Sequence, residues 1–264
     1  MTVETYIDRA RTRVRAERDA VDGKRDAYDA FVRRVSDLQP EPVSASAPAT
    51  GLTTAGGARL AADAPSDDRC GTVRAAFAET IRPHSVADLD GSEPLLETIR
   101  EEFTDAIAVA LAPTTESPFS RDLKRLIVAE TRSRRSEATA LRKALDREAG
   151  HLEDAAAAVD DVVAGVVDVD ETPLTDLGFD ALARRHETLA DLRDRCTELV
   201  RRRQELLRRA TNDGADVGVR HRSLVPYLYG GFPVDHPVLA TVAALDDACA
   251  DCQRTVRAHL IRRA

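Results

Sequence analysis

A chain of 264 residues that is 43% apolar and carries a net charge of −8 holds enough hydrocarbon for a core. With 4% aromatics and no Trp, it lacks the rings for a platform on which nucleobases stack. Its apolar run from Ala155 to Val167 is broken by Asp160-Asp161 and falls short of the roughly 20 residues a membrane helix needs, and Met1 to Arg15 lacks the apolar centre of a signal peptide, so a cytoplasmic location with no membrane partner is expected.

Residues 1–38 read as an N-terminal heptad helix. Ile7, Val14, Val21, Tyr28 and Val35 recur every seven residues, and Ala10, Glu17, Lys24, Phe31 and Leu38 form the companion series, apolar at both ends and polar in the middle. A helix of about 36 residues would be roughly 55 Å long and needs a partner helix, in this chain or another. Residues 39–68 change to Pro, Ala, Ser, Thr and Gly without apolar periodicity, the composition of a flexible linker.

A helical bundle is expected over 69–264. Cys70 to Arg82 places Cys70, Val73, Phe77 and Ile81 on one face and stops at Pro83. Ser92 then reads as an N-cap, opening one acidic helix that buries Leu95, Ile99, Phe103, Ile107 and Leu111 before Pro113. The dominant feature is a long antiparallel coiled-coil-like hairpin over 120–210, turning at Asp170-Glu171-Thr172-Pro173. Its first arm carries Leu145, Leu152, Val159 and Val166, with Leu141, Ala155, Val162 and Val169 as companions. The second carries Leu182, Leu189 and Cys196 beside Leu192, Leu199 and Leu206. Thr172 before Pro173 reads as the N-cap of the second arm, with Gly178 a point where that helix can break, and Asn212-Asp213-Gly214 closes it.

The tail from Leu224 to Pro233 gathers Tyr227, Tyr229 and Phe232 among Pro and Gly, and reads as a short plug against the bundle. A C-terminal helix over 236–263 follows, with Val242, Leu245, Cys249, Cys252, Val256 and His259 alternating by three and four.

Four groups of residues bear on chemistry. Cys249 and Cys252 share one helical face, so with Cys70 and Cys196 they offer four thiolates for a tetrahedral zinc site; the competing reading is that four small apolar side chains fill the seams. A thioredoxin-like role would need the Cys pair at a helix N-terminus after a strand, which the pattern lacks. Arg132, Arg134, Arg135, Arg142, Lys143 and Arg147 on the first arm, and Arg193, Arg195, Arg201, Arg202, Arg203, Arg208 and Arg209 on the second, offer an anion or nucleic-acid site, or else pair internally with carboxylates. Residues 151–180 carry nine carboxylates and no Lys or Arg, which makes the hairpin electrically polar. The six histidines do not cluster in sequence, and no P-loop, paired-glycine fingerprint, His-Glu-x-x-His or nucleophile elbow is present.

Three blocks, Cys70 to Ser85, Glu171 to Phe179 and Tyr227 to Thr241 running into Cys249 and Cys252-Gln-Arg254, together resemble a haloarchaeal family of unknown function. The charge usage agrees with that resemblance, with 35 Arg against 3 Lys and 29 Asp against 17 Glu. In molar salt the screening length is only about 3 Å, so contact pairs matter and long-range steering does not.

The expectation is therefore an all-α, elongated helical bundle that assigns no catalytic residue, no cofactor-binding residue and no metal ligand in its leading form. It acts as a non-enzymatic interaction or scaffold protein, a homo-oligomer or the partner of another helical protein. Nucleic acid is not among its expected partners. The alternatives are a zinc protein through Cys70, Cys196, Cys249 and Cys252, or an anion binder through the Arg cluster.

Overall fold

The structure, a computed structural model, describes residues 5–41, 68–85, 94–115, 117–212 and 221–263. All regular structure among them is helical: α1 (Tyr6–Asp37), α2 (Arg69–Thr80), a short 3-10 turn (Arg82–His84), α3 (Leu95–Glu102), α4 (Asp105–Ala110), α5 (Arg121–Asp170), α6 (Phe179–Asn212), α7 (His221–Tyr229) and α8 (Pro237–Arg263). No described helix is long and apolar enough to cross a membrane.

Contacts divide the chain into two compact units, Ala20–Thr139 and Met1–Asp19 with Ala140–Ala264. These boundaries cut across the expected division at residues 38 and 68, because α1 contributes to both. Ile7, Ala10 and Val14 are buried in one unit, and Tyr28, Phe31 and Val35 in the core of the other. Of the two sources expected for the α1 seam's partner, this chain or another, these positions are covered within this chain. Most of the expected linker, 42–67, lies outside the described residues. Its first residues are fixed, since Glu41 donates its N–H to the Phe119 carbonyl at 2.9 Å and its side chain accepts from Phe119 N–H at 3.3 Å.

In the unit Ala20–Thr139, four of the six phenylalanines (Phe31, Phe77, Phe103 and Phe119) meet in one core with Ile81, Ile99, Ile107 and Ile127. Phe31, Phe77 and Phe103 form a triangle with centroids 5.5–6.0 Å apart. The scarce rings are concentrated rather than spread along a seam. The single helix expected from Ser92 to Leu111 is instead two, α3 and α4. Phe103 leaves helical geometry (φ −121°, ψ −106°), and Thr104 caps α4 by accepting from Ile107 N–H. Thr followed by Asp is a good helix start, and packing the Phe103 ring against both Phe31 and Phe77 rewards the break.

In the other unit, α6 packs along α8 and against α7. Leu145, Leu152, Val159 and Val162 of α5 are buried, as are Leu182, Leu189, Leu192 and Cys196 of α6. α5 and α6 meet where Arg203 bonds Glu148 and where Gly165 leaves room for Leu192; a Cβ on Gly165 would sit 2.8 Å from Leu192 Cδ2. The second arm starts later than Thr172-Pro173 indicates. Pro173 forms only a turn, accepting from Asp176 N–H at 3.0 Å, and the helix begins after Gly178, whose carbonyl accepts from Leu182 N–H. The tail plug is α7, with Pro226 inside it, ending at Gly230.

Candidate functional site

Three of the four tyrosines donate to a glutamate that a cation also holds. In the unit containing α6 to α8, Tyr229 Oη donates to Glu148 Oε1 at 2.6 Å, while Arg203 donates Nη1 to Oε2 at 3.0 Å and Nη2 to Oε1 at 2.7 Å. In the same unit Tyr227 Oη donates to Glu17 at 2.6 Å, and Arg13 pairs with the other oxygen at 2.7 Å. In the unit Ala20–Thr139, Tyr28 Oη donates to Glu102 at 2.9 Å and Lys24 Nζ to its second oxygen at 2.8 Å. A carboxylate taken from water needs such partners, since an unpaired one would cost several kcal/mol.

The first of these triads is the most enclosed, with Glu148 0% and Arg203 5% exposed. Burial pulls the Arg203 guanidinium down, but the Glu148 hydrogen bonds and charge outweigh it and the net shift is upward. Burial, then the charge of Glu148, pushes the Tyr229 phenol far above its ordinary range. Neither group titrates near neutrality.

Arg203 also lines a groove of about 410 Å³ formed by α5, α6 and Val238 of α8, with Ala155, Ala158, Leu199 and Leu206 as apolar lining and His151, Asp154, Asp161 and Arg202 as polar lining. The four-alanine run from Ala155 to Ala158 leaves α5 short of side-chain volume there. This is within the range of small-ligand sites.

The arginines singled out in the sequence are largely taken up by nearby carboxylates and carbonyls. Arg134 pairs with Glu130 and Glu137 and donates to the Phe103 carbonyl that the break after α3 frees. Arg135 pairs with Asp29, Arg142 with Asp146, Arg193 with Asp246, and Arg201 and Arg202 with Glu198. Internal pairing, weighed above against an anion site, therefore holds for these residues. The opposite holds for 151–180, where all nine carboxylates (Glu153, Asp154, Asp160, Asp161, Asp168, Asp170, Glu171, Asp176 and Asp180) are exposed. No ion pair among the described residues involves any of them.

The thiols behave as buried side chains. Cys70, Cys196 and Cys249 are buried and Cys252 is half-buried. Burial pushes Cys70 and Cys249 up and raises Cys196 to about 11, with the neighbouring Cys249 adding to that rise. Cys70 Sγ donates to the Ser117 carbonyl at 3.5 Å. Among the described residues, no three His, Cys, Asp or Glu side chains lie together in a way that could hold a metal ion.

A family model described as a domain of unknown function, DUF7260, matches residues 5–253. The chain belongs to the DUF7260 family. No curated protein and no solved structure matches it. Among the described residues of this DUF7260 member, the groove lined by Arg203 and the acidic segment without ion pairs both stand apart from its packing.

Proposed function

We propose that this protein is a non-enzymatic helical interaction protein, built on an antiparallel hairpin of α5 and α6, whose acidic segment docks a basic amphipathic helix of a partner protein. The observation that carries the reading is a set of exposed apolar side chains on a stretch whose carboxylates form no ion pair among the described residues. Val163 and Val167, one helical turn apart on α5, are 43% and 59% exposed, and Phe179 at the start of α6 is 51% exposed. Asp160, Asp168, Asp170 and Glu171 flank them. Covering a Val side chain fully is worth about 1.5–3 kcal/mol, and contact pairs with the carboxylates would add register in high salt, where screening removes long-range attraction.

Ile7, Val14 and Val21 of α1 are buried within the chain, so self-association through that seam is not the route proposed here. The Asp-rich, Lys-poor composition supports a salt-adapted, cytoplasmic protein of haloarchaeal origin.

The test is calorimetry in molar KCl with a basic amphipathic peptide, an acidic one of the same apolar face, and a basic peptide without that face. The proposal expects the first alone to bind, and V163D/V167D to weaken it at least tenfold with helicity unchanged. Equal binding of both basic peptides would reduce the surface to non-specific charge attraction. Self-association lost in V163D/V167D would make a second copy the occupant and overturn the basic-partner reading.

A further inference from the structure

We propose that the groove between α5 and α6 binds a small dipolar molecule carrying a carboxylate at one end and an ammonium at the other. Its carboxylate end is set by Arg203. A guanidinium has five N–H donors, and only two of those of Arg203 go to Glu148. The Glu148 fork and the Tyr229 hydroxyl behind it hold the plane of the guanidinium fixed, so a ligand carboxylate meets a preorganised donor without the entropy loss that an exposed arginine carries. Arg202 stands beside it on the rim, tied by Glu198 at 2.8 Å.

The ammonium end is set by α5. Asp154 and Asp161 both line the groove, are exposed and have no ion-pair partner among the described residues. Asp154 lies six residues beyond Glu148, about 9 Å along the helix axis, with Ala155 and Ala158 among the apolar lining. A volume of about 410 Å³ suits an amino acid or a molecule of similar size. The groove is lined by both signs of charge, Arg202 and Arg203 from α6 and Asp154 and Asp161 from α5, which selects against simple anions and simple amines alike. This site is separate from the partner-helix surface, since Val163 and Val167 do not line the groove.

The probe is 6-aminohexanoate, whose extended chain spans a comparable distance, compared by NMR titration with hexanoate and hexylamine at constant KCl. Saturable binding of 6-aminohexanoate at least tenfold tighter than either half-molecule is expected. D154N should erase most of its advantage over hexanoate, and R202A should weaken hexanoate and 6-aminohexanoate alike by several-fold. Arg203 itself is a poor target, because its loss strands Glu148, so the blocking variant is A158L, which fills the groove without touching a charge. A158L should abolish binding while circular dichroism and Tm stay those of the parent. No saturable binding of 6-aminohexanoate, equal binding of all three probes, or binding that survives A158L in a folded protein would each overturn the proposal.

Discussion

Glu148 and Arg203 each stand where the seven-residue series of their own helix leads an apolar side chain to be expected, and they face each other there. Leu141, Glu148, Ala155 and Val162 follow one another at that spacing on α5, and Leu182, Leu189, Cys196 and Arg203 on α6. Both terminal guanidinium nitrogens reach the carboxylate, at 3.0 and 2.7 Å, in a site almost closed to water. Removing one partner leaves the other buried and unpaired. E148A is therefore expected to lower stability by about 3–5 kcal/mol, while E148L/R203M recovers most of that loss. Urea unfolding in molar KCl measures both. A small loss for E148A would mean that water enters the site.

The two tyrosines of the tail should separate in the same assay. Tyr229 is buried and bonds a charged acceptor, so Y229F should cost about 1.5–3 kcal/mol. Tyr227 is half exposed, and water can replace its hydroxyl at Glu17, so Y227F should cost under about 1 kcal/mol. Burial, aided by Glu17, pushes the Tyr227 phenol up to about 12. Ultraviolet titration should bring that group into range on losing Glu17, while Tyr229 ionises only with unfolding.

The seams were legible in part, where burial follows local periodicity, while Leu141, Val166, Val169, Leu199 and Leu206 are only half-buried. Leu145, Leu152, Val159, Leu182 and Leu189 are core in both readings. The interruption of two seams at Glu148 and Arg203 went unread, because pairing them requires knowing which turn of α5 meets which turn of α6. The break at Phe103-Thr104 was hidden for a related reason. Ile99, Phe103 and Ile107 keep helical spacing across it, and only the distant rings of Phe31 and Phe77 favour the kink. Arg134, for which the sequence left an anion site and internal pairing both open, satisfies the carbonyl which that break exposes.

Three glycines should respond differently to alanine. Gly150 is exposed within α5 with nothing within 4 Å of an added Cβ, so G150A should raise stability by about 0.5–1 kcal/mol. At Gly165 the same helix gain is opposed by the crowding against Leu192 Cδ2, and no net gain is expected. At Gly230 the Cβ would lie 2.7 Å from the Pro226 carbonyl oxygen, a backbone atom that cannot swing aside, so G230A should destabilise. The order of the three urea midpoints checks the packing of α5 on α6 and the turn after α7 together.

Glu198 provides a pH signature. Hydrogen bonds from Arg201 and then Arg202 hold its carboxyl down to about 2. A depressed carboxylate contributes stability that is present above the ordinary Glu range and is lost as pH falls from there through about 2. Because the group is exposed, salt should screen the effect. Carboxyl NMR titration should place Glu198 lowest among exposed glutamates in dilute salt, and R201Q/R202Q should return it to the ordinary range. A midpoint unmoved by that double change would remove these arginines as the cause.

Thiol counting addresses the cysteine question directly. Three thiols are buried and have pKa values raised by that burial, so they are both shielded and poorly ionised at pH 8, whereas half-buried Cys252 shows no comparable enclosure. Native protein should therefore give one thiol reacting readily with Ellman's reagent, lost in C252S, and four after unfolding under the same conditions. Elemental analysis on the same sample, purified without a metal column, separates burial from ligation. One zinc per chain, with Cys252 protected until a chelator is added, would mean that the thiols converge in a way this arrangement does not contain. A single reactive thiol with no metal would leave the other three as packing groups of α2, α6 and α8.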